Sequence, residues 1–200
     1  MELVFATYNQ HKLHEIKQLF NASFRNLEEI KISCLAEIGC HEEIPENGST
    51  LQDNASEKAW FIYNNYGKNC FADDTGLEIL SLDGRPGVYS ARYAGEKKSF
   101  DDNMNKVLLE MKGKTNRTAC FRTVISLIIE GKEFQFEGKV NGIILESKKG
   151  KGGFGYDPIF LPDGYTQSFA EMPLEEKNKI SHRGKAFIQL MHFLKKSLNG

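Results

Sequence analysis

The sequence predicts one domain, residues 1–200, with a mixed α/β fold in which helices flank a mixed β-sheet. Short apolar segments of strand character alternate with longer segments of helical periodicity near both ends of the chain. A hairpin pattern occupies the middle, and no repeat, low-complexity tract or linker interrupts the chain. This mixture indicates an α/β or α+β class and leaves the topology open.

The first predicted elements are a strand and two helices. Leu3 to Thr7 is a short apolar run typical of a buried strand. A helix is expected next, because apolar residues recur at helical spacing at Leu13, Ile16, Leu19 and Phe20. The second helix is expected from Thr50 to Tyr66, since Thr50-x-x-Asp53 resembles a capping box and Gly67 is a typical helix terminator.

The rest of the chain is predicted to contain three more strands, a returning strand and two helices. Cys70-Phe71-Ala72 is expected to form a buried strand that ends at Asp73-Asp74-Thr75-Gly76. A long strand from Thr118 to Glu130 would turn at residues 130–133 and return, with one apolar face made of Ala119, Phe121, Ile125, Leu127 and Ile129. The other expected elements are a helix from Phe100 to Met111, a short strand from Ile159 to Leu161 and a final helix from Arg183 to Ser197.

The composition is ordinary for a soluble globular protein, with 40% hydrophobic and 26% charged residues and a net charge of −1. Nucleic-acid-binding proteins usually show a concentrated basic surplus, so an anionic partner should be a small molecule. No stretch approaches the ~20 apolar residues of a membrane span, and the N-terminal apolar run is too short for a signal peptide. We expect a cytoplasmic protein whose cysteines, Cys34, Cys40, Cys70 and Cys120, are reduced.

Two lysine-bearing segments are candidate phosphate sites. Thr7-Tyr8-Asn9-Gln10-His11-Lys12 leaves a strand and enters a helix, where backbone amides and a lysine can bind an anion. The segment lacks the glycines of a P-loop, and an ordinary turn with a solvated lysine remains the alternative. Asn54 and Lys58 share one face of the second helix, where the lysine either extends to water or meets a phosphate.

Asp73 and Asp74 are the candidate acidic centre. Adjacent residues on a strand point to opposite faces, so these two carboxylates can have different roles. An aspartate of ordinary pKa, about 3.9, is a weak base, which by itself activates water poorly for attack on phosphorus. A divalent ion that lowers the pKa of bound water would supply the further activation. Mg²⁺ typically takes one or two protein carboxylates together with phosphates and waters, and Asp74 with Glu46 would meet that need. A capped strand end is the alternative.

Two C-terminal segments are candidate base-binding elements. Glycines in residues 150–158 permit close backbone approach to a ligand, while Phe154 can stack on a base and Asp157 can accept from a ring N–H. The second segment is Lys177 with Ser181-His182-Arg183, at the opening of the final helix, where His182 and Arg183 offer donors for a carbonyl on a base. The alternatives are a long glycine turn and an ordinary helix start.

Taken in order, these segments resemble the inosine triphosphate pyrophosphatase family, also described as dITP/XTP or non-standard purine NTP pyrophosphatases. The matching motifs span nearly the whole chain: Thr7-x-Asn9-x-x-Lys12, Gly48-x-Thr50-x-x-x-Asn54-Ala55, Phe71-Ala72-Asp73-Asp74-Thr75-Gly76-Leu77, Arg85-Pro86-Gly87-Val88-Tyr89-Ser90-Ala91-Arg92, Gly152-Gly153-Phe154-Gly155-Tyr156-Asp157-Pro158 and Ser181-His182-Arg183-Gly184-Lys185-Ala186. Tyr8, Gln10 and His11 depart from the small residues common in the first motif, but its Thr, Asn and Lys are present.

The resemblance implies an elongated mixed sheet with two lobes around a central nucleotide cleft, a homodimer, and Mg²⁺-dependent attack of water on the α-phosphate. Asp74 is then the proton acceptor and a metal ligand, with Glu46 as a further metal ligand. The residues implied in triphosphate binding are Thr7, Tyr8, Asn9, Gln10, His11, Lys12 and Lys58, and Thr75 would lie beside the substrate. The implied base pocket consists of Phe154, Gly155, Tyr156, Asp157, Lys177, His182 and Arg183.

Two other functions are compatible with parts of this pattern. A related pyrophosphatase that acts on pyrimidine or methylated nucleotides would lack the Ser181-His182-Arg183 motif. A nucleotide-binding regulator without activity is disfavoured by the intact Asp73, Asp74, Lys12 and Lys58. Turnover of ITP with Mg²⁺, as opposed to a thermal shift without product, distinguishes the enzyme from the regulator.

Overall fold

The computed structural model describes residues 1–24 and 30–198 and confirms the mixed α/β class. The helices and strands are β1 Glu2–Phe5, α1 Gln10–Ser23, β2 Lys31–Cys34, α2 Leu51–Tyr66, β3 Cys70–Ile79, β4 Pro86–Gly87, α3 Phe100–Glu110, β5 Thr118–Ile129, β6 Lys132–Ile144, β7 Phe160–Pro162, α4 Leu174–Ile180 and α5 His182–Leu198. Local rules explain α2 well: the Thr50 side chain accepts the Asp53 amide, and Gly67 ends the helix in the left-handed conformation.

Within the described residues, the strands form a seven-stranded mixed sheet in the order β2-β1-β3-β5-β6-β7, with β4 paired to β3. Strand β1 runs parallel to β2 and to β3, with Glu2 opposite Lys31 and Val4 opposite Cys70. Strand β4 is antiparallel to β3, and β7 is antiparallel to β6. Parallel and antiparallel pairs therefore occur in one sheet.

The described residues divide into two compact units: those within 1–74, 123–138 and 183–198 form the first, and residues 75–122 and 139–182 form the second. Strands β3, β5 and β6 each contribute residues to both units. The expectation that residues 1–200 act as one domain remains a prediction.

Both faces of the sheet are covered in the first unit. On one face, Leu3 and Phe5 of β1 pack in a cluster with α1 and α5, and Phe5 stacks on Phe71 with ring centroids 4.5 Å apart. On the other face, Val4 packs with Ala59 and other residues of α2. A parallel strand buried on both faces carries an uninterrupted apolar run, and for this reason β1 is readable in the sequence.

The core of the second unit gathers α3 and the strand segments that belong to that unit. Its buried members include Leu77, Met104, Val107, Phe121, Val140, Phe160 and Phe169. The predicted apolar face of β5 is found, but its members serve separate cores: Phe121 packs in the second unit and Ile125 packs in the first. The periodicity identified the face without showing that its residues serve two cores.

Two predicted boundaries are wrong. Strand β3 does not end at Asp73 but continues to Ile79, because β4 adds pairs at Leu77 and Glu78. Gly76 permits this approach, since a Cβ there would lie 2.7 Å from the Gly87 carbonyl oxygen. Lys177 lies not at the start of the final helix but in α4, which follows Pro173 and ends at Ile180, with Ser181 as its C-cap.

Among residues 1–24 and 30–198, no helix is both long and apolar enough to cross a membrane. The cysteines Cys34, Cys40, Cys70 and Cys120 are free thiols. Burial raises the pKa of the Cys70 thiol to about 12, so this side chain is a neutral part of the core.

Candidate active site

The turn between β1 and α1 is organised by Asn9, which caps the helix. Asn9 Oδ1 accepts hydrogen bonds from the amides of His11 at 3.0 Å and Lys12 at 3.2 Å. Thr7 Oγ1 accepts from the Asn9 amide at 3.2 Å, which holds the cap in place. Because the cap uses two amides that were candidates for anion binding, recognition of a phosphate here would depend mainly on the Lys12 side chain.

The other members of this turn lie toward solvent. Gln10 and His11 are exposed in the first turn of α1. Tyr8 is half exposed, and its hydroxyl donates to the Glu42 carbonyl at 2.7 Å. The structure therefore places Lys12, and not these three side chains, among the buried charges of the first unit.

A buried charge network joins α1, β3 and α5 in the first unit. Lys12 Nζ lies 2.9 Å from Asp73 Oδ1, and Arg183 Nε lies 3.0 Å from Asp73 Oδ2. Arg183 Nη1 also donates to Glu15 Oε2 at 2.6 Å. Burial acts to raise the pKa of Asp73, but the charges of Lys12 and Arg183 prevail and hold that pKa well below its usual range. Asp73 is therefore an ionised anchor for two cations.

Asp74 has a separate set of partners, as expected for the opposite face of β3. Asn54 Nδ2 donates to Asp74 Oδ2 at 3.0 Å, and Lys58 Nζ lies 3.6 Å from Asp74 Oδ1. Burial raises the pKa of Asp74, and the charges of Lys58 and Lys12 only partly oppose this. A carboxylate with a raised pKa is a better proton acceptor near neutral pH than an ordinary aspartate.

Lys58 connects Asp74 with Glu46. The Lys58 ammonium lies 2.5 Å from Glu46 Oε1, and its side chain is 7% exposed. Burial lowers the pKa of Lys58, but the charges of Asp74 and Glu46 outweigh burial, so the pKa is raised and the lysine stays charged. Two carboxylates thus converge on one cation.

This donor set fits Mg²⁺. Mg²⁺ prefers oxygen ligands and is usually held by one or two carboxylates together with substrate phosphates and waters. Glu46 and Asp74 supply the two carboxylates, and burial of Asp74 favours a cation beside it. Within the part of the chain that the structure describes, His, Cys, Asp and Glu form no cluster of three or more suited to a complete protein-only metal cage.

The glycine turn of the second unit is built around Asp157. Asp157 Oδ2 accepts the Phe154 amide at 2.8 Å and lies 2.5 Å from Lys177 Nζ. Gly153 has φ +68°, and a Cβ there would lie within contact distance of the Asp157 carboxylate, so only glycine fits. Gly155 also has a positive φ, +63°.

Lys177 is held between a carboxylate and two aromatic rings. Its ammonium lies 5.0 Å from the Phe154 ring centroid and 5.6 Å from that of Phe169. Lys177 and Asp157 are both 2% exposed. The arrangement brings together an aromatic ring that can stack on a base, a hydrogen-bond donor and a hydrogen-bond acceptor. The donor and the acceptor can recognise polar groups on the edge of that base.

The remaining predicted residues have varied surroundings. His182 stacks on Phe121 with centroids 4.5 Å apart and planes 10° apart. Tyr156 is buried, and its hydroxyl donates to the Ser90 carbonyl at 2.8 Å. Thr75 is half-buried in β3. The motif around Ser90 has a structural role, since Ser90 Oγ accepts the Leu77 amide and donates to the Gly87 carbonyl.

One buried charged residue and one set of aromatic contacts were not identified from sequence. Glu15 is buried and pairs with Arg183, although the two are 168 positions apart. A signal for Glu15 exists, because Leu19 lies four residues later on the buried face of α1 and an acidic residue is unexpected there. The aromatic contacts of His182 with Phe121 and Phe169 carry no local signal.

Comparisons with known proteins support one family over nearly the full chain. The chain is 53% identical over 196 residues to a dITP/XTP pyrophosphatase of Christiangramia forsetii, covering 98% of this chain and 100% of that relative. It is 52% identical over 195 residues to a dITP/XTP pyrophosphatase of Flavobacterium psychrophilum, covering 98% of this chain and 100% of that relative. Its structure resembles a Ham1 protein of Staphylococcus aureus with a TM-score of 0.87 at 37% identity, covering 98% and 100% of the two chains.

A second solved structure, a HAM1 protein of Coxiella burnetii, matches with a TM-score of 0.88 at 37% identity and covers 98% of this chain and 99% of that one. The statistical model of the Ham1 family matches residues 3–193. These matches confirm the family resemblance that the ordered motifs indicated. The chain belongs to the Ham1 family.

Proposed function

We propose that this protein hydrolyses non-standard purine nucleoside triphosphates, such as ITP, dITP and XTP, to the monophosphate and pyrophosphate with the help of Mg²⁺. The observation that carries the proposal is the convergence of Glu46 and Asp74 on Lys58, with Lys12 close enough to act on the same charges. The names of the relatives, dITP/XTP pyrophosphatases, support the substrate class.

Lys12 and Lys58 are the proposed phosphate-binding cations. Both side chains are largely buried, where an ion pair is screened less than at the surface. Each already faces a carboxylate, so an arriving triphosphate would exchange some carboxylate contacts for phosphate contacts. Thr7 to Lys12 form the turn that presents Lys12, with Asn9 as the cap that fixes its geometry.

Asp74 is the proposed proton acceptor. Water attacks the α-phosphorus, the bond from that phosphorus to the bridging oxygen of the β-phosphate breaks, and pyrophosphate leaves. The proton released by the water passes to Asp74, whose burial raises its pKa, and then to solvent. Asn54 holds Asp74 Oδ2, so Oδ1 is the oxygen that faces Lys58.

Glu46 and Asp74 would hold Mg²⁺, which lowers the pKa of bound water and neutralises phosphate charge. The two protein carboxylates leave the other positions around such an ion to phosphate oxygens and waters. Lys58 lies against both carboxylates and orients them before substrate arrives.

Base selection is assigned to Phe154, Gly155, Tyr156, Asp157, Lys177 and His182, with Thr75 of the same unit beside the substrate. Phe154 offers a stacking surface, and Lys177 offers a charged donor for a 6-oxo group. A 6-amino group would leave this donor unpaired, and such sites can discriminate by up to about 10⁴–10⁵-fold. Hypoxanthine and xanthine would therefore be accepted and adenine rejected.

The proposed biological role follows from this selectivity. Hydrolysis of ITP, dITP and XTP would remove these nucleotides from the cytoplasmic pool and keep their bases out of DNA and RNA. We further propose that the protein acts as a homodimer with the small nucleotide as its ligand.

The test measures pyrophosphate release from ITP, XTP, GTP and ATP in parallel, with Mg²⁺ and with EDTA. We expect rapid release from ITP and XTP that EDTA abolishes, and slow release from ATP. Asp74→Asn should lower kcat by at least about 10²–10⁴-fold, the usual range for loss of a general base, while ITP still raises the melting temperature. Asp53→Asn, which changes an exposed acid in the first turn of the same helix as Lys58, is the matched control and should remain active.

Each alternative result has a definite meaning. If the nucleotides bind but are not hydrolysed, a regulator is favoured. If orthophosphate is released in place of pyrophosphate, the protein cleaves a different phosphoanhydride bond. Near-normal kcat in Asp74→Asn would refute the role given to this carboxylate.

A further inference from the structure

Asn54 is a buried residue whose hydrogen bonds link Asp74 to the loop that carries Glu46. Asp74 and Glu46 are the two proposed metal ligands. Asn54 is 2% exposed and lies on α2, one turn before Lys58. Its Nδ2 donates to Asp74 Oδ2 at 3.0 Å, and its Oδ1 accepts the Gly48 amide at 2.8 Å. One amide group therefore connects a β3 carboxylate with the loop that carries Glu46, two residues before Gly48.

The loop is shaped to permit this connection. A Cβ on Gly48 would lie 2.5 Å from Asp53 Cβ and 2.9 Å from both the amide nitrogen and Oδ1 of Asn54. Real Cβ atoms do not approach so closely, so the absence of a side chain at position 48 lets the loop reach Asn54. The close approach of Gly48 to Asn54 is what allows the hydrogen bond between them.

We propose that Asn54 is a positioning residue that fixes Asp74 and Glu46 in register for a shared divalent cation. This inference rests on the proposed function and deepens it. An amide is suited to the task because it donates to one side and accepts from the other while remaining uncharged. Its hydrogen bond to Oδ2 leaves Oδ1 directed toward Lys58. Partners that orient metal ligands typically change metal affinity or activity by about 10–100-fold when they are removed.

A second pair of bonds between the same loop and the same helix supplies the matched control. Glu57 Oε2 accepts the Asn47 amide at 2.7 Å, and Glu57 Oε1 accepts Asn47 Nδ2 at 3.1 Å. These bonds are exposed and do not involve Asp74. Glu57→Ala therefore loosens the loop without removing the donor to Asp74.

The experiment compares the intact chain with Asn54→Ala and Glu57→Ala. Mn²⁺ alone is titrated by calorimetry in the absence of nucleotide, and the Mg²⁺ concentration for half-maximal hydrolysis of ITP is measured separately. Asn54→Ala should weaken Mn²⁺ binding and raise the Mg²⁺ requirement by at least about tenfold. The KM for ITP at saturating Mg²⁺ should change by less than threefold, because Asn54 does not hold the nucleotide. Glu57→Ala, which keeps the donor to Asp74, should change each of these quantities by less than Asn54→Ala does.

Asn54→Asp keeps an acceptor for the Gly48 amide but cannot donate to Asp74 when ionised. This variant should fold with an unchanged far-ultraviolet circular dichroism spectrum, and its kcat should still fall by at least about tenfold. It therefore tests the donor even if Asn54→Ala does not fold.

Three results would overturn the proposal: unchanged metal affinity in Asn54→Ala, an equal loss in Glu57→Ala, or full activity in Asn54→Asp. If the unmodified protein shows no Mg²⁺-dependent hydrolysis of ITP, the proposed function fails first. If the unmodified protein hydrolyses ITP with Mg²⁺ and the Asn54 variants keep normal metal affinity and activity, only the positioning role of Asn54 is refuted.

Discussion

Replacing Arg183 by alanine should strongly destabilise the first unit, because it removes one cation from a buried network of two cations and two carboxylates. The Arg183 side chain is 3% exposed, Glu15 is 5% exposed and Asp73 is 1% exposed. Removing one partner of a buried ion pair typically costs about 3–5 kcal/mol, since the remaining charge stays desolvated. We therefore expect Arg183→Ala to lower the free energy of unfolding by about that amount.

Protonation of a carboxylate gives an independent estimate of the same size. Protonating a glutamate of ordinary pKa, about 4.3, costs about 4 kcal/mol at pH 7. Asp73 keeps Lys12 at 2.9 Å, whereas Glu15 is the carboxylate that loses Arg183 in the variant. That cost falls as the solution becomes more acidic, so the deficit should shrink by about 2–3 kcal/mol between pH 7 and pH 5.

Urea unfolding of the two proteins, followed by the fluorescence of Trp60, measures this difference. Trp60 is the single tryptophan and lies in the first unit, so its signal reports the unit that contains the network. Lys185→Ala, which removes an exposed cation from the same helix, should change stability by no more than about 0.5–1 kcal/mol. A deficit below about 1 kcal/mol for Arg183→Ala, or one that grows toward pH 5, would contradict the reasoning.

Two further predictions concern acid stability and base selection. Asp73 has a folded-state pKa held below its ordinary value of 3.8, so its contribution to stability is present above about pH 4 and is lost as pH falls through the folded pKa. The free energy of unfolding, measured from pH 6 to pH 2, should therefore depend less on acid in Asp73→Asn than in the unmodified protein. Lys177→Met removes a charged donor worth about 1.5–3 kcal/mol, so kcat/KM should fall by about 10–100-fold for ITP and by less than threefold for ATP. Equal losses for both nucleotides would place recognition of the 6-oxo group on other residues.

The local elements were largely predictable because their causes lie within a few residues of each other. Thr50 and Gly67 bound α2 as expected, and the apolar run of β1 and the helical spacing of α1 were also found. Strand β2 and the short β4 were not predicted, since each depends on pairing with a partner distant in sequence. The same pairing extended β3 beyond Asp74.

The candidate site was predictable as a set of motifs and not as a set of contacts. The ordered motifs identified the family, now confirmed by the Ham1 match, and named Lys12, Lys58, Asp74 and Lys177. They did not reveal that Asn9 occupies amides at the start of α1, or that Arg183 pairs with Asp73 and Glu15. These facts depend on which side chains meet across the fold.

The sequence by itself determined the fold class, most helix bounds and the family, because caps, apolar periodicity and motif order are local properties of the chain. Only the tertiary structure decided the electrostatic states of the two neighbouring aspartates. Alternation along β3 predicted opposite faces, but it could not show that Asp73 meets two cations while Asp74 meets an amide, a lysine and a desolvated environment. Burial and neighbouring charge act in opposite directions on a carboxylate, and their balance depends on contacts that chain folding alone creates.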